Sequence, residues 1–409
     1  MTDAVSPGPL KGLRVLELAH VMAGPTCGRL LADFGAEVIK LERPGGEDSR
    51  RMAPPWQGAE SAAFLMLNRN KRGVVLDLKS EAGKALFLEL LDTVDVLVEN
   101  FRKGTMERLG LGYETLRARN PGLIYCEISG FGRTGPKADE GGFDVVAQAI
   151  SGIMSVTGEA PGRPPVKAGV PITDVGAGML GAMGVLAAYI HRMQTGQGQR
   201  VDTSLLEAGA LFMMWPAASY FADATVAQPM GSAHPLDAPY QAFAARDGWL
   251  IVGAANQSTW ERLLAALGRP ELGADERYCD NPARVRNLDA LIAELTPLFA
   301  VEPVAHWLSL LQAHGVPCGP INNVADMAHD AQLKARGMVN AVPHSDLGSV
   351  ATLGCPVQFS ETPATLRRGA PTLGEHTEGV LGELGYDRSQ LAAFRAAGAF
   401  GPDPEPDDC

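Results

Sequence analysis

A chain of 409 residues exceeds the usual size of one hydrophobic core, so two domains are expected, each able to bury a core without disulfide or metal staples. A formal charge of -12 excludes a general nucleic-acid binder, which needs a phosphate-neutralising surface, while 46% hydrophobic and 20% charged residues are ordinary for a soluble protein. The six cysteines are scattered, the N-terminus has no apolar signal core, and no uncharged apolar stretch reaches the roughly 18 to 20 residues of a bilayer span, so a reduced, cytoplasmic protein with no metal centre and no membrane partner is expected.

From Lys11 to Ser129, short β-branched or apolar runs alternate with amphipathic segments, the pattern of an α/β domain around a mainly parallel sheet. Strands are predicted at Arg14 to Leu18, Glu37 to Leu41, Gly73 to Leu78, Val94 to Val98 and Leu123 to Ile128, with helices at Thr26 to Phe34, Glu81 to Leu91 and Thr105 to Arg108. In such a sheet ligands sit beyond the carboxyl ends of the strands. The turn after the first strand, Ala19 to Pro25, lacks the G-x-G-x-x-G fingerprint, which disfavours NAD. Cations recur in the edge loops instead: Arg43, Arg50 and Arg51, then Arg69, Lys71 and Arg72, then Arg102, Lys103 and Arg108. Any one of them reads as solvated surface charge, but their recurrence at strand ends of an acidic chain fits a polyphosphate-bearing ligand, because guanidinium forks match phosphate oxygens.

The loop Gly130 to Pro136 leads to a predicted helix over Gly142 to Ser155 with an apolar face at Val145, Val146, Ala149 and Ile153. Next, the extended segment beginning at Val170 ends on Asp174, where a helix rich in small residues starts and runs to Met193. Two roles share this geometry. As an N-cap, Asp174 would accept bonds from the unpaired N–H groups of the first turn. As a nucleophile, it would sit where Gly176 and Gly178 leave room for a ligand and where the helix N-terminus keeps it ionised and stabilises charge on an attacked carbonyl. A short strand at Val201 to Ser204 and an apolar helix at Leu205 to Phe221 follow, then a linker around Val226 to Pro239. Beyond it come a hairpin (Tyr240 to Ala244, Trp249 to Gly253) and helices at Thr259 to Leu267, Leu288 to Phe299 and Pro303 to His314, which make a compact α+β domain. The tail has strand-like pieces at Met338 to Val342 and Ser349 to Leu353, a helix at Glu378 to Leu384, and an acidic end expected to fray.

Taken in order, LRVLEL (Leu13 to Leu18), Ala23-Gly24-Pro25, Gly35 to Glu42, Asn70-Lys71-Arg72, Val98 to Phe101, the GFGRTGP loop, Val156 to Glu159, Gly315 to Pro320, Ala328-His329-Asp330 and Gly374 to Thr377 resemble the class III (CaiB/BaiF) CoA-transferases, the group that includes formyl-CoA transferase. The resemblance spans nearly the whole chain. It implies a large Rossmann-like parallel-sheet domain (1–225), a small α+β domain (226–330), a C-terminal return to the large domain (331–409) and an interlocked homodimer. It also implies that Asp174 is the catalytic aspartate and that His20, Ala23, Arg43, Lys71, Asn100, Phe101 and Arg108 line the site of an acyl-CoA substrate, with no tightly bound cofactor. The second substrate would be a small carboxylic acid, succinyl-CoA a candidate donor, and Arg163, Lys167 and His234 candidate contacts for a second carboxylate.

Two departures bear on that acid. Met22 stands where formyl-CoA transferase has a glutamine, and Gly231 to Pro235 carries one glycine where that enzyme has a glycine run, which argues against oxalate or formate. The same fold hosts α-methylacyl-CoA racemases, which need two opposed acid/base groups. Here Phe143 precedes Asp144 where the racemases place a histidine, leaving His20 as the other nearby imidazole. A non-catalytic CoA-binding protein is the third reading, in which Asp174 is a cap alone.

Overall fold

The computed structural model describes residues 8–402, so the N-terminal segment expected to carry no signal and the acidic end expected to fray lie outside the described residues. Six strands form one sheet: β1 (Arg14–Glu17), β2 (Glu37–Glu42), β3 (Lys71–Val75), β4 (Val96–Glu99), β5 (Ile124–Ser129) and β6 (Arg200–Ser204). All neighbours pair parallel, in the order β3-β2-β1-β4-β5-β6. The winding therefore reverses between β1 and β4, and the loops leaving those two strands diverge to open a crevice.

Alternation along the strands feeds two cores. Val15, Val38, Val96, Val98, Ile124, Cys126 and Ile128 face α1 (Ala23–Asp33) and the later helix Ile172–Thr195. Leu16, Ile39, Leu41, Leu97 and Tyr125 face α2 (Glu81–Leu91), together with Val380, Leu381 and Leu391 from the returning C-terminal segment. That segment also closes the β3 edge: Asn70 N–H donates to Arg368 O at 3.0 Å, His376 N–H to Gly73 O at 2.9 Å, and Val75 N–H to Thr377 Oγ1 at 3.1 Å.

Two helices expected to be continuous are broken. The first divides into α3 (Asp144–Ile150) and a single turn, Ile153–Val156, because Gly152 takes a φ of 94°, outside the right-handed helix region. Its Val145 and Val146, expected to be buried, are exposed. With α4 now denoting Ile172–Thr195, the apolar run after β6 divides into α5 (Leu205–Phe212) and Met214–Asp223, since Pro216 has no N–H to continue the ladder back to Phe212.

The small residues of α4 serve packing. A Cβ on Gly178 would lie 2.5 Å from Ala23 O, one on Gly181 2.7 Å from Ile128 Cδ1, and one on Gly176 2.8 Å from the Phe212 ring, so the space expected for a ligand is filled by protein. This 24-residue helix is long and apolar enough by composition to span a bilayer, with a window of mean hydropathy 1.4, although Asp174 and Arg192 keep its uncharged run shorter than the stretch the sequence reading required. Its glycine stripe instead presses against α1 and β5, the packing of a core helix.

The chain divides into two compact units, Met1–Ile153 with Ala168–Trp215 and Ala331–Cys409, and Met154–Lys167 with Pro216–Asp330. Residues 154–167 and 216–225, read from the sequence as part of the large domain, thus group with the second unit. That unit pairs Cys318–Pro320, Trp249–Gly253 and Tyr240–Ala244 in an antiparallel sheet around a core of Phe243, Trp260, Phe299 and Trp307.

Candidate active site

Asn100, the first residue after β4, ties the two diverging loops together. Its Oδ1 accepts the His20 N–H at 2.8 Å and its Nδ2 donates to His20 O at 2.9 Å, which sets the imidazole edge-on to the Phe101 ring at 4.9 Å. Phe101 is in turn clamped: its N–H donates to Glu99 Oε2 at 2.6 Å and its carbonyl accepts from Arg133 Nη1 at 3.0 Å. Arg133 is nearly fully buried and also pairs with Glu99 at 2.6 Å and Glu127 at 2.9 Å, so its charge is committed. After β5 the chain passes so near the segment before α3 that a Cβ on Gly130 would stand 2.6 Å from the Gly142 Cα, and this approach brings Phe131 and Phe143 to the crevice.

Asp174 lies at the mouth of α4, yet it is not the cap. It is the third residue of the helix, which follows Pro171. The capping anion is Asp144 from α3: its Oδ1 accepts the Thr173 N–H at 2.9 Å, the Thr173 hydroxyl at 2.7 Å and the Asp174 N–H at 3.4 Å, while Gln148 Nε2 donates to Oδ2 at 2.6 Å. The expectation that the helix end keeps Asp174 ionised is therefore overturned. Its first-turn donors serve Asp144, and burial, with the Asp144 charge adding to it, pushes the Asp174 carboxyl up to about 7.

Asp174, His20, Val21, Met22, Asn100, Phe101, Arg102, Lys103, Phe131, Arg133 and Phe143 line one cavity of about 360 Å³. His20 and Phe101 also line a second, of about 420 Å³, whose walls are Leu18, Leu41, Leu76, Leu78 and Leu109 and whose rim carries Arg43, Lys79 and Arg108. The two cavities thus share a wall of His20 and Phe101; one has apolar sides with three cations and Asp77, and the other carries Asp174 with Asp48 and Glu140. A larger open cavity of about 1020 Å³, beside Pro44, Glu378 and Arg388, includes neither Asp174 nor His20.

Of the residues expected to line the acyl-CoA site, His20, Arg43, Asn100, Phe101 and Arg108 line these two cavities. Ala23 and Lys71 do not. Ala23 begins α1 and is buried against Gly178. The Lys71 ammonium is wholly buried, 2.7 Å from Glu17 and bonded to Pro25 O and Asn68 Oδ1, and burial lowers its pKa to about 8 despite Glu17. Arg163, Lys167 and His234 belong to the second unit, where Arg163 pairs with Glu159 and His234 with Asp237. Lys79, Phe131 and Asp144 were missed. Lys79 follows β3 and so had the same strand-end signal as the other cations, whereas the tie between Asp144 and Thr173 spans 29 positions and leaves no local mark.

A doubly wound α/β unit whose switch-point crevice sets an apolar slot with three cations beside a cavity holding a carboxylate suits a long ligand that is anionic at one end and reacts at the other. The chain belongs to CoA-transferase family III, whose family model matches residues 10–377. It is similar to an acyl-CoA transferase of Fusarium pseudograminearum (41% identical, covering 96% of this chain and 88% of the relative) and to the succinyl-CoA:glutarate CoA-transferase of Mus musculus (38%, covering 98% and 92%). A crystal structure of a CaiB/BaiF family protein from Brucella suis superposes with a TM-score of 0.84 at 40% identity, covering 92% of this chain and 100% of that one. The protein is accordingly a CoA-transferase, which moves CoA from an acyl-CoA to a carboxylic acid.

Proposed function

We propose that Asp174 is the nucleophile of this transfer and that succinyl-CoA is the donor, with a second dicarboxylic acid as acceptor. The carrying observation is the shared wall: Asp174 faces the cavity that His20 and Phe101 separate from the Arg43, Lys79 and Arg108 slot, so a CoA ester with its phosphates among the cations directs its thioester to the carboxylate. The Asp174 carboxylate attacks the thioester carbonyl, giving an aspartyl acyl anhydride and CoA thiolate. The thiolate then attacks the aspartyl carbonyl, releasing the donor acid and leaving aspartyl-CoA. The acceptor carboxylate attacks that thioester and frees the thiolate again, which takes the acceptor acyl group from the new anhydride and regenerates Asp174. One thioester replaces another, so neither ATP nor a resident cofactor is called for.

Support for a dicarboxylate comes from the mouse relative, which carries succinyl-CoA and glutarate in its name, and from Arg102 and Lys103 in the Asp174 cavity. Burial and Lys40 lower the pKa of His20 and so favour the neutral imidazole, which can donate a hydrogen bond to a developing oxyanion. The decisive experiment incubates succinyl-CoA with a panel of carboxylic acids, reads new CoA esters by mass spectrometry, and traps Asp174 with hydroxylamine during turnover. Failure to modify the Asp174 peptide while esters form would sink the nucleophile. Solvent deuterium at the α-carbon of a 2-methylacyl-CoA would instead identify a racemase.

Two further outcomes are expected. The attacking form is the carboxylate, so kcat/KM should fall as pH drops through about 7, with a limb approaching unit slope below it. A rate flat from pH 5.5 to 8 would contradict this. Replacing Arg43 or Arg108 with glutamine removes ligand binding felt equally in ground and transition states, so KM for the acyl-CoA should rise about tenfold with little change in kcat. Homodimerisation is proposed on the exposed Met179, Met183 and Met193 of α4 and Phe212 of α5, an apolar surface unusual on a monomer. Light scattering should then give twice the mass of the 43.2 kDa chain.

A further inference from the structure

Val21 has a φ of 61°, a left-handed conformation that a β-branched side chain strongly disfavours. The three consecutive residues His20, Val21 and Met22 all line the Asp174 cavity. An extended chain would turn alternate side chains to opposite sides, so the left-handed residue in the middle is what lets three in a row share one wall. Something must hold it there. The backbone leading into Val21 is fastened: Ala19 O accepts from Lys40 Nζ at 2.9 Å, Asn100 takes both polar groups of His20, and the Val21 N–H donates to Glu47 Oε2 at 3.1 Å.

Glu47 is fully buried and itself fixed, accepting the Ser49 N–H at 2.8 Å and the Ser49 hydroxyl at 2.6 Å, with the Lys40 ammonium 3.5 Å away. It touches neither cavity. We propose that Glu47 is a positioning residue that forces Val21 into its left-handed turn and thereby builds the His20–Val21–Met22 wall opposite the reacting carboxylate. The inference rests on the reading of Asp174 as nucleophile.

The test is a double-mutant cycle on CoA transfer from succinyl-CoA, with kcat and KM measured separately. Glu47→Met removes the acceptor at similar length and is expected to lower kcat at least about tenfold, with KM for the CoA ester changed far less because the cation slot is elsewhere. Glu47→Gln keeps an oxygen for the Val21 N–H and should lose less. Val21→Gly lets the turn form without enforcement, so in that background Glu47→Met should cost less than about twofold. An equal loss in both backgrounds, or an unchanged kcat in E47M, would overturn the proposal. If E47M alone does not fold, recovery of folded enzyme in V21G/E47M supports it and continued failure overturns it. A wild-type enzyme that transfers CoA with Asp174 unmodified would sink the nucleophile reading first and the clamp's purpose with it, whereas active, Asp174-trapped wild type with an insensitive E47M sinks the clamp alone.

Discussion

Asp174→Asn is expected to lower kcat for CoA transfer at least about 1,000-fold, because the amide cannot form the aspartyl anhydride through which both halves of the exchange pass. The same substitution should make the protein more stable at pH 8. The folded-state pKa of Asp174 is raised from 3.8 to about 7, so the fold disfavours the ionised form; stability is lost as pH rises from about 4 through 7, and the penalty is complete above that. Asparagine carries no such penalty. Because Asp174 retains some contact with solvent, the gain is put on the order of 2 kcal/mol and should vanish near pH 4. Thermal unfolding of the two proteins across that range, beside the rate assay, separates lost chemistry from lost structure. A variant both inactive and less stable at pH 8 would point to a structural role for the carboxylate.

Glu17→Gln should have the largest effect on stability. Glu17 is wholly buried at the end of β1 between two wholly buried lysines, 3.1 Å from Lys40 and 2.7 Å from Lys71. Removing its charge leaves two ammonium groups in a low-dielectric interior with Glu47 and the Arg50-paired Glu42 as anionic neighbours, and breaking such a pair costs about 3 kcal/mol or more. Lys71, whose pKa burial already lowers to about 8, would be the group to shed its proton. Urea unfolding at pH 7 measures the loss. A change under about 1 kcal/mol would show that the lysines are neutralised in another way.

Much of the scaffold was legible because it is locally encoded. The helix Glu81–Leu91, the hairpin strands Tyr240–Ala244 and Trp249–Gly253, and the helix Leu288–Phe299 run over the residues that periodicity and turn chemistry assigned to them. The position of Asp174 at the start of a small-residue helix was legible for the same reason. Its electrostatics were not. A helix start with an acidic residue reads as a stabilised anion, and only the fold reveals that Asp144, 30 positions earlier, occupies the donors and repels the second carboxylate. Lys71 failed in the opposite sense: among cations at a sheet edge, nothing local separates one aimed at a ligand from one paired inward with Glu17, 54 positions away. Glu47 and Val21 are likewise joined across 26 positions.

The β3 edge, closed by Arg368, His376 and Thr377, also bears on the order in which the protein is made. A ribosome releases all six strands of the sheet well before the segment that covers its outermost one, since β6 ends at Ser204 and the cover begins more than 160 residues later. At about 5 to 20 residues per second, a nascent sheet would spend some tens of seconds or less with an open, hydrogen-bonding border. The chain therefore depends on residues made late to shield a strand made early, and nascent chains stalled before Arg368 should be captured by holding chaperones where longer chains that include the cover are not.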